Sequence, residues 1–260
     1  MLSPGMLTFV GVSLGKTRFF VKKKYNRRNI RENIRENKEN PMSNTNSTKT
    51  ERVIAYIDGF NLYFGLKSKG WRRYYWLNLQ ALAENLLKPN QVLNKTKYFT
   101  ARISGSPDKQ KRQTTYIEAL GTLSNFEIIY GKYQLNPRKC KKCNFSEQVP
   151  SEKMTDVNIA VELMSDAFLD QYDVAYLLSA DSDLTHVITR IRSLFPQKKI
   201  VIAFPPGRYS KDLANRARFS FPIGRAELAK SLFPPSDVRL SNCIKKYLRQ
   251  GVDITICRYH

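Results

Sequence analysis

The sequence predicts an α/β fold in which a mainly parallel sheet of about five strands lies between two layers of helices. Short apolar segments rich in Val, Ile and Tyr predict the strands, and amphipathic segments with helical spacing predict the helices. The two kinds of segment alternate along residues 51–233. Because parallel strands are covered on both faces, their apolar runs are unbroken, as they are here. We therefore expect a doubly wound, three-layer sandwich.

The elements follow one another regularly from residue 52 onward. The predicted strands are 52–58 (RVIAYID), 96–104 (TKYFTARIS), 126–135 (FEIIYGKYQL), 174–180 (VAYLLSA) and 199–205 (KIVIAFP). The predicted helices are 77–87, 109–123, 155–169, 183–195 and 210–217. Five apolar residues of the third helix share one face, which we expect to be buried: Val157, Ala160, Val161, Met164 and Phe168.

The charge divides the chain into three parts and indicates a polyanionic partner. Residues 1–50 are basic and Asn-rich, so we expect a disordered segment, and residues 234–260 form a basic extension. Residues 51–233 form the folded domain, with a polar, CxxC-containing loop at 136–150. The net charge of +22 favours nucleic acid ahead of an anionic membrane.

Hydropathy and cysteine content indicate a cytoplasmic protein that does not enter a membrane. No apolar run approaches the roughly 20 residues of a bilayer span, and we find no signal peptide. Four cysteines, two of them in one CxxC, do not suggest a disulfide framework. The sequence leaves open whether the chain forms a homo-oligomer.

Acidic side chains follow two of the predicted strands. Asp58 ends the first strand, Asp181 and Asp183 follow the fourth, and Asp156 begins the helix that precedes the fourth. Because ligands of open parallel sheets bind beyond the carboxyl ends of the strands, we expect these carboxylates to converge. Clustered carboxylates suit Mg²⁺ or Mn²⁺, which can activate water and stabilise the leaving oxygen of a phosphodiester.

Basic side chains follow the other strands and surround the predicted acidic cluster. Lysine and arginine in these connections are suited to holding a nucleic-acid backbone. The candidate phosphate contacts are Arg102, Lys109, Lys111, Arg112, Lys153, Arg208 and Lys211.

Each acid also has a purely structural interpretation. Asp183 and Ser182 are suited to capping a helix, Asp58 with Gly59 to a turn, and Asp156 to the positive end of a helix dipole. Three separate segments nevertheless bring acids to the same predicted edge. Whether Asp183 is a ligand, a cap, or both stays open at this point.

Three motifs resemble those of one known family. YIDGFNLY (56–63), KMTDVNIA (153–160) and LLSADSDL (177–184) are similar to the NYN domain family, PIN-like nucleases related to the LabA-like proteins. The resemblance implies a Rossmann-like PIN fold and metal-dependent ribonuclease activity. It also implies roles for seven residues: Asp58, Asp156, Asp181 and Asp183 as catalytic metal ligands, Asn61 and Ser179 as supporting groups, and Lys153 as a phosphate contact. Ala180 departs from the pattern, since the family commonly has Gly there.

Two further features have competing interpretations. Cys140 and Cys143 supply half of a Zn²⁺ site, and the other cysteines and histidines are distant in sequence, so reduced thiols are the alternative. His186 is more simply a structural histidine than a catalytic one. The aromatic and basic segment 71–76 (WRRYYW) suits either base stacking or covering of the core.

The first functional hypothesis is a metal-dependent RNA endonuclease, with single-stranded RNA among its candidate substrates. The alternative is an RNA-binding regulatory module on the same fold without turnover, in which the acids are caps or remnants. A phosphatase for small phosphoesters is a third hypothesis, which the excess positive charge disfavours.

Overall fold

A computed structural model describes residues 50–104, 106–139, 143 and 145–233, and eight strands lie in this part of the chain. Their bounds are β1 Glu51–Asp58, β2 Gln91–Thr100, β3 Phe126–Tyr130, β4 Lys132–Lys139, β5 Ser146–Lys153, β6 Val174–Leu178, β7 Lys199–Phe204 and β8 Phe219–Pro222. Six of them form one sheet in the order β3-β2-β1-β6-β7-β8, parallel at every pairing. The remaining two, β4 and β5, form an antiparallel ribbon.

Helices cover both faces of the parallel sheet. Their bounds are α1 Gly59–Ser68, α2 Leu79–Asn85, α3 Pro107–Leu120, α4 Thr155–Phe168, α5 Thr185–Leu194, α6 Lys211–Arg216 and α7 Arg225–Lys230, with short 3-10 turns at Arg72–Tyr74 and Ser182–Leu184. Helices α1, α2, α3 and α7 contribute to one apolar core, and α4, α5 and α6 contribute to the other. The predicted three-layer α/β sandwich is therefore confirmed.

Strand β1 shows why its apolar run is unbroken. Val53, Ala55 and Ile57 pack into the first core, whereas Ile54 and Tyr56 pack into the second. Side chains of a strand alternate between the two faces of a sheet, so a central strand between two helical layers needs apolar residues at every position. The same reasoning applies to β6, where every residue is buried.

The sheet has six strands where the sequence predicted about five, and its polar parts differ most from the prediction. Strand β8 is only four residues long and partly exposed at the sheet edge, so its apolar signal is weak. Strand β2 begins at Gln91, five residues before the predicted start, because its first half is polar and mostly solvent-exposed. The predicted loop at 136–150 lies largely in the β4–β5 ribbon, in which Lys132 is paired with Lys153.

The predicted buried face of α4 was wrong for three of its five residues, whereas Ala160 and Met164 do pack against the second core. Val157, Val161 and Phe168 are 61%, 54% and 75% exposed, whereas Ile159 and Leu163 are buried. The buried face also carries Asp166, a residue that hydropathy alone assigns to solvent. Burial of Asp166 is permitted because it accepts hydrogen bonds from Tyr56 Oη at 2.6 Å and from Lys97 Nζ at 2.7 Å.

Several predictions fall on residues that lie outside the described part of the chain. They concern residues 1–49, the extension 234–260 and Cys140. Among the helices that the structure describes, none combines the length and the apolar character needed to cross a bilayer.

Candidate active site

Asp58 is a buried carboxylate at the carboxyl end of the central strand β1. The residue is 3% exposed and accepts three hydrogen bonds. The Asn61 backbone N–H donates to Oδ1 at 2.9 Å, Asn61 Nδ2 donates to Oδ2 at 3.0 Å, and Ser179 Oγ donates to Oδ2 at 2.9 Å. The first of these bonds makes Asp58 the N-cap of α1, so the proposed turn is a helix start.

The environment of Asp58 opposes its negative charge. Burial raises the pKa of the Asp58 carboxyl above its ordinary value, and the negative charge of Asp181 raises it further. The hydrogen bonds from Asn61 and Ser179 offset this increase in part. No lysine or arginine among the described residues forms an ion pair with Asp58. The site therefore holds a fixed carboxylate that has no countercharge from the described residues when it is ionised.

Ser179 and Asn61 connect the ends of β1 and β6. The Asp181 backbone N–H donates to Ser179 Oγ at 3.1 Å, and the Ala180 backbone N–H donates to Asn61 Oδ1 at 3.4 Å. Two small polar side chains thus fix the carboxyl ends of two adjacent parallel strands relative to each other. This connection brings Asp181 to the same edge of the sheet as Asp58.

Asp181, and not Asp183, caps the turn that follows β6. Its Oδ1 accepts the backbone N–H of Asp183 at 3.0 Å, which starts the 3-10 turn Ser182–Leu184. The prediction that Ser182 or Asp183 caps the helix was wrong, since Leu184 lies at the N-cap of α5 and makes no side-chain capping bond. Asp183 itself is exposed at this edge of the sheet.

Asp156 lies in the first turn of α4, at the same end of the sheet but toward β3. Asn158, in that first turn, donates from Nδ2 to the backbone oxygen of Tyr130, the last residue of β3, at 3.3 Å. Strand β3 is separated from β1 by β2, and neighbouring strands lie about 4.8 Å apart. The four predicted acids therefore share an edge of the sheet, although among the described residues no three of them are grouped closely enough to hold a metal ion.

The donor set fits a divalent cation that is bound by few protein ligands. Within the described residues, no three His, Cys, Asp or Glu side chains gather closely enough to hold a metal ion alone. Mg²⁺ in proteins is usually held by one or two carboxylates together with water and substrate phosphate, and does not require an all-protein cage. Asp58, with Asp181 as its acidic neighbour, meets that smaller requirement.

The predicted phosphate contacts lie in segments that border the same edge. Six of these side chains are exposed and Arg112 is partly buried: Arg102, Lys109, Lys111, Arg112, Lys153, Arg208 and Lys211. Arg102 is the most constrained, because its guanidinium lies 5.3 Å from the ring centroid of Tyr130 and NH1 donates to Thr114 Oγ1 at 3.3 Å. The Tyr130 ring thus orients one cation beside the start of α4.

The exposed aromatic residues near the site are not those that the sequence singled out. Tyr74 and Trp76 of the 71–76 segment are buried and belong to the core. Helix α1 instead exposes Tyr63 and Phe64, which sequence reasoning missed. Their spacing from Phe60 was the available signal, since positions i, i+3 and i+4 share one helix face.

Gly59 lets α1 start directly against β2. A Cβ at this position would lie 2.7 Å from the backbone oxygen of Phe99 and 2.7 Å from the Tyr98 ring. A side chain larger than hydrogen would displace the first turn of α1, which carries the Asn61 donors to Asp58.

The comparison with protein families agrees with the geometry of this edge. A sequence profile described as the NYN domain matches residues 52–223, which include all four candidate acids. The chain belongs to the NYN domain family. The resemblance inferred from the three motifs is therefore confirmed, and NYN domains are PIN-like nucleases.

Two individual proteins are similar to this NYN chain. 6-Hydroxy-3-succinoylpyridine 3-monooxygenase HspA of Pseudomonas putida is 29% identical in an alignment of 178 residues, and the match covers 55% of this chain and 56% of the relative. The chain thus matches about half the length of that curated relative. A solved structure of a Vibrio parahaemolyticus protein of unknown function aligns with 69% of this chain and 97% of its own, with a TM-score of 0.47 and 19% identity.

The predicted zinc site stays a prediction. Cys143 is an exposed free thiol, and Cys140 lies outside the described residues. His186 is exposed on the first turn of α5.

Proposed function

We propose that this NYN domain is a metal-dependent ribonuclease that hydrolyses RNA phosphodiester bonds. Its carboxylates would be Asp58, Asp156, Asp181 and Asp183. The observation that carries the proposal is Asp58, a buried carboxylate with three hydrogen-bond donors and no paired cation among the described residues. A group of this kind is expensive to ionise unless a cation joins it.

Three polar residues would have separate roles around the Asp58 carboxylate. Asn61 and Ser179 hold the Asp58 carboxylate in one orientation, and the Ser179 hydroxyl also positions Asp181. Asp183 is exposed beside Asp181, where it can accept a proton from a water molecule. A bound Mg²⁺ or Mn²⁺ would supply the charge that lowers the pKa of water and stabilises the leaving oxygen.

Positive charge outside the acidic site would retain the substrate. Arg102 and Lys153 lie in segments that adjoin α4, whereas Arg208 and Lys211 follow β7. A polyanion that contacts both groups would pass over Asp58, because β1 lies between β3 and β7 in the sheet. Phosphate contacts of this kind bind RNA strongly and with marked salt dependence.

A second candidate function is RNA binding without turnover. It is favoured by the lack of any three closely grouped metal-binding side chains in the described part of the chain. The monooxygenase activity named for the Pseudomonas putida relative, in contrast, is not favoured by any feature of this site, and the likeness spans only about half of each chain.

A circular RNA substrate separates these functions. We expect purified protein to open the circle with Mn²⁺ or Mg²⁺ and to leave it intact in EDTA, because only an endonuclease can cut a molecule without ends. Tight binding with no cleavage of either the circle or the matching linear RNA under any metal would support the binding module and reject the ribonuclease.

A further inference from the structure

Helix α1 and the neighbouring 3-10 turn carry a row of aromatic rings that starts beside the acidic site and is exposed at its centre. Tyr63 and Phe64 are 43% and 42% exposed, and their ring centroids lie 5.3 Å apart. Phe60 stacks on Phe64 with centroids 6.3 Å apart and planes inclined by 24°, and Tyr75 lies 5.1 Å from Tyr63. We call Phe60, Tyr63, Phe64 and Tyr75 the aromatic row.

The aromatic row is held by a rigid support. Leu62 and Leu66 of the same helix are buried in the core. Gly65 lies so close to the following connection that a Cβ would approach the Pro206 backbone oxygen to 2.7 Å. Helix α1 is therefore held by the apolar core and by the connection at Pro206. Binding a ligand to the exposed rings would then require little ordering of the backbone.

The segment that carries the aromatic row is basic. Residues 59–76 contain Lys67, Lys69, Arg72 and Arg73 and no acidic residue. The Lys67 Nζ lies 5.9 Å from the ring centroid of Phe64. Exposed aromatic rings interleaved with cations complement a polyanion that also presents flat apolar groups, and nucleic-acid bases joined by phosphates have this combination.

The aromatic row is continuous with the candidate active site. Asn61, which donates two hydrogen bonds to Asp58, lies between Phe60 and Tyr63 on the same helix. At about 1.5 Å of rise per residue, Tyr63 and Phe64 begin within roughly 5 Å of Asn61 along the helix axis. A chain bound at Asp58 therefore has the aromatic row within reach of its adjoining nucleotides.

We infer that the aromatic row stacks the bases of single-stranded RNA next to the cleavage point, an inference that rests on the proposed ribonuclease function. Unpaired bases can turn outward and stack on aromatic side chains, whereas the bases of a duplex are already stacked on each other. The site is therefore specific for single-stranded segments. Stacking accepts every base, so we expect little dependence on sequence.

The test measures binding of a short oligoadenylate in EDTA, where no cleavage can occur. The main variant, here called the leucine variant, combines Tyr63→Leu and Phe64→Leu, which keep apolar bulk and remove the aromatic faces. A Phe168→Ala variant is the matched control, since Phe168 is an exposed aromatic residue at the far end of α4. Abasic oligonucleotide and blunt duplex RNA serve as comparison ligands.

We expect the leucine variant to bind oligoadenylate about tenfold more weakly or worse, given about 1–3 kcal/mol for each stacked base. Its affinity for the abasic strand and its salt dependence should stay those of wild type, because no phosphate contact is removed. Tyr63→Phe should retain wild-type binding. Phe168→Ala should have no effect.

Three results would overturn the inference: wild-type affinity in the leucine variant, an equal loss on the abasic strand, or no binding of oligoadenylate by wild type. A change in self-association without a change in RNA binding would likewise assign the aromatic row to a protein contact. If wild type cleaves RNA in Mn²⁺ and the leucine variant binds oligoadenylate as wild type does, the stacking inference is rejected and the proposed ribonuclease function stands. If wild type binds oligoadenylate through the aromatic row but cleaves no RNA, the proposed ribonuclease function is rejected and base stacking by the aromatic row stands.

Discussion

The Ser179 hydroxyl donates a 2.9 Å hydrogen bond to Asp58, although the two residues lie 121 positions apart in sequence. The same hydroxyl accepts the backbone N–H of Asp181 at 3.1 Å. One buried side chain therefore sets the positions of two of the candidate carboxylates. Because Ser179 is fully buried, this arrangement is protected from competing water.

We predict that Ser179→Ala weakens metal binding without unfolding the protein. Loss of this donor raises the pKa of Asp58 further and frees its carboxylate to rotate, and supporting residues of this kind contribute about 10–100-fold to metal affinity. Calorimetric titration with Mn²⁺ measures the effect. Ser165→Ala, at an exposed position of α4, is the control and should bind Mn²⁺ as wild type does.

The second prediction concerns pH and the metal-free protein. The pKa of Asp58 is raised in the folded state, so the folded protein holds this proton more tightly than the unfolded chain. The contribution of Asp58 to the free energy of unfolding is therefore greatest below its ordinary pKa and falls as the pH rises through the folded-state value. Asp58→Asn lacks this titration.

Denaturant unfolding in EDTA at a series of pH values measures that contribution. The free energy of unfolding of wild type minus that of Asp58→Asn should decrease as the pH rises from about 4. Saturating Mn²⁺ should reverse the trend, because a cation favours the ionised carboxylate. A difference that is independent of pH in EDTA would show that burial does not penalise the Asp58 charge.

The third prediction concerns the buried cation Lys97. Its side chain is 6% exposed and contacts Glu162 at 2.6 Å as well as Asp166. Lys97→Met would leave Asp166 charged and buried, so we expect a loss of about 3–5 kcal/mol in the free energy of unfolding. Adding Asp166→Asn should recover most of the loss, because it removes the unpaired charge.

Lys95→Met is the matched control for Lys97→Met. Lys95 lies on the same strand as Lys97 and pairs with Glu127 of β3 at 3.3 Å, but the side chains of Lys95 and Glu127 are both 45% exposed. Lys95→Met should lower the free energy of unfolding by at most about 1 kcal/mol. Equal losses for the two lysine variants would contradict a special role of the buried pair.

The fourth prediction concerns the ion pair that joins the start of β1 to the start of β6. Arg52 donates to both carboxylate oxygens of Asp173 at 3.0 Å, which lowers the pKa of Asp173 to about 2. Stability from this pair is therefore present above the ordinary Asp pKa and is lost as the pH falls toward 2.

Acid denaturation of wild type and Asp173→Asn measures the contribution of this pair. We expect Asp173→Asn to lower the free energy of unfolding by about 1 kcal/mol at neutral pH, after allowance for solvent screening, with the difference vanishing in acid. Glu118→Gln, at an exposed acid of α3, should show no such dependence. If the free energies of unfolding of wild type and Asp173→Asn differ by the same amount from pH 7 to 2, the stabilising role of the Arg52–Asp173 pair is contradicted.

The sequence predicted best those elements whose surroundings are apolar on both sides. Strands β1, β6 and β7 are of this kind, so hydropathy alone located their ends within two residues. The β4–β5 ribbon is polar, its two strands pair with each other, and no apolar pattern marks it. The buried face of α4 includes Asp166, whose partner Lys97 lies 69 residues away in the chain.

The candidate site was predictable in its residues but not in its connections. Parallel topology places Asp58 and Asp181 at one edge because both follow neighbouring strands. The sequence does not show that Asp181 caps the turn, or that Ser179 connects the two acids. Those details depend on side-chain geometry between segments that are far apart in the chain.

The most direct test of the central claim is single-turnover cleavage of a single-stranded RNA in Mn²⁺ by wild type, Asp58→Asn and Glu118→Gln. The account predicts cleavage by wild type and Glu118→Gln, and at least a hundredfold slower cleavage by Asp58→Asn with circular dichroism unchanged, on the order of 2.7 kcal/mol in the activation free energy. Wild-type cleavage by folded Asp58→Asn would contradict the account.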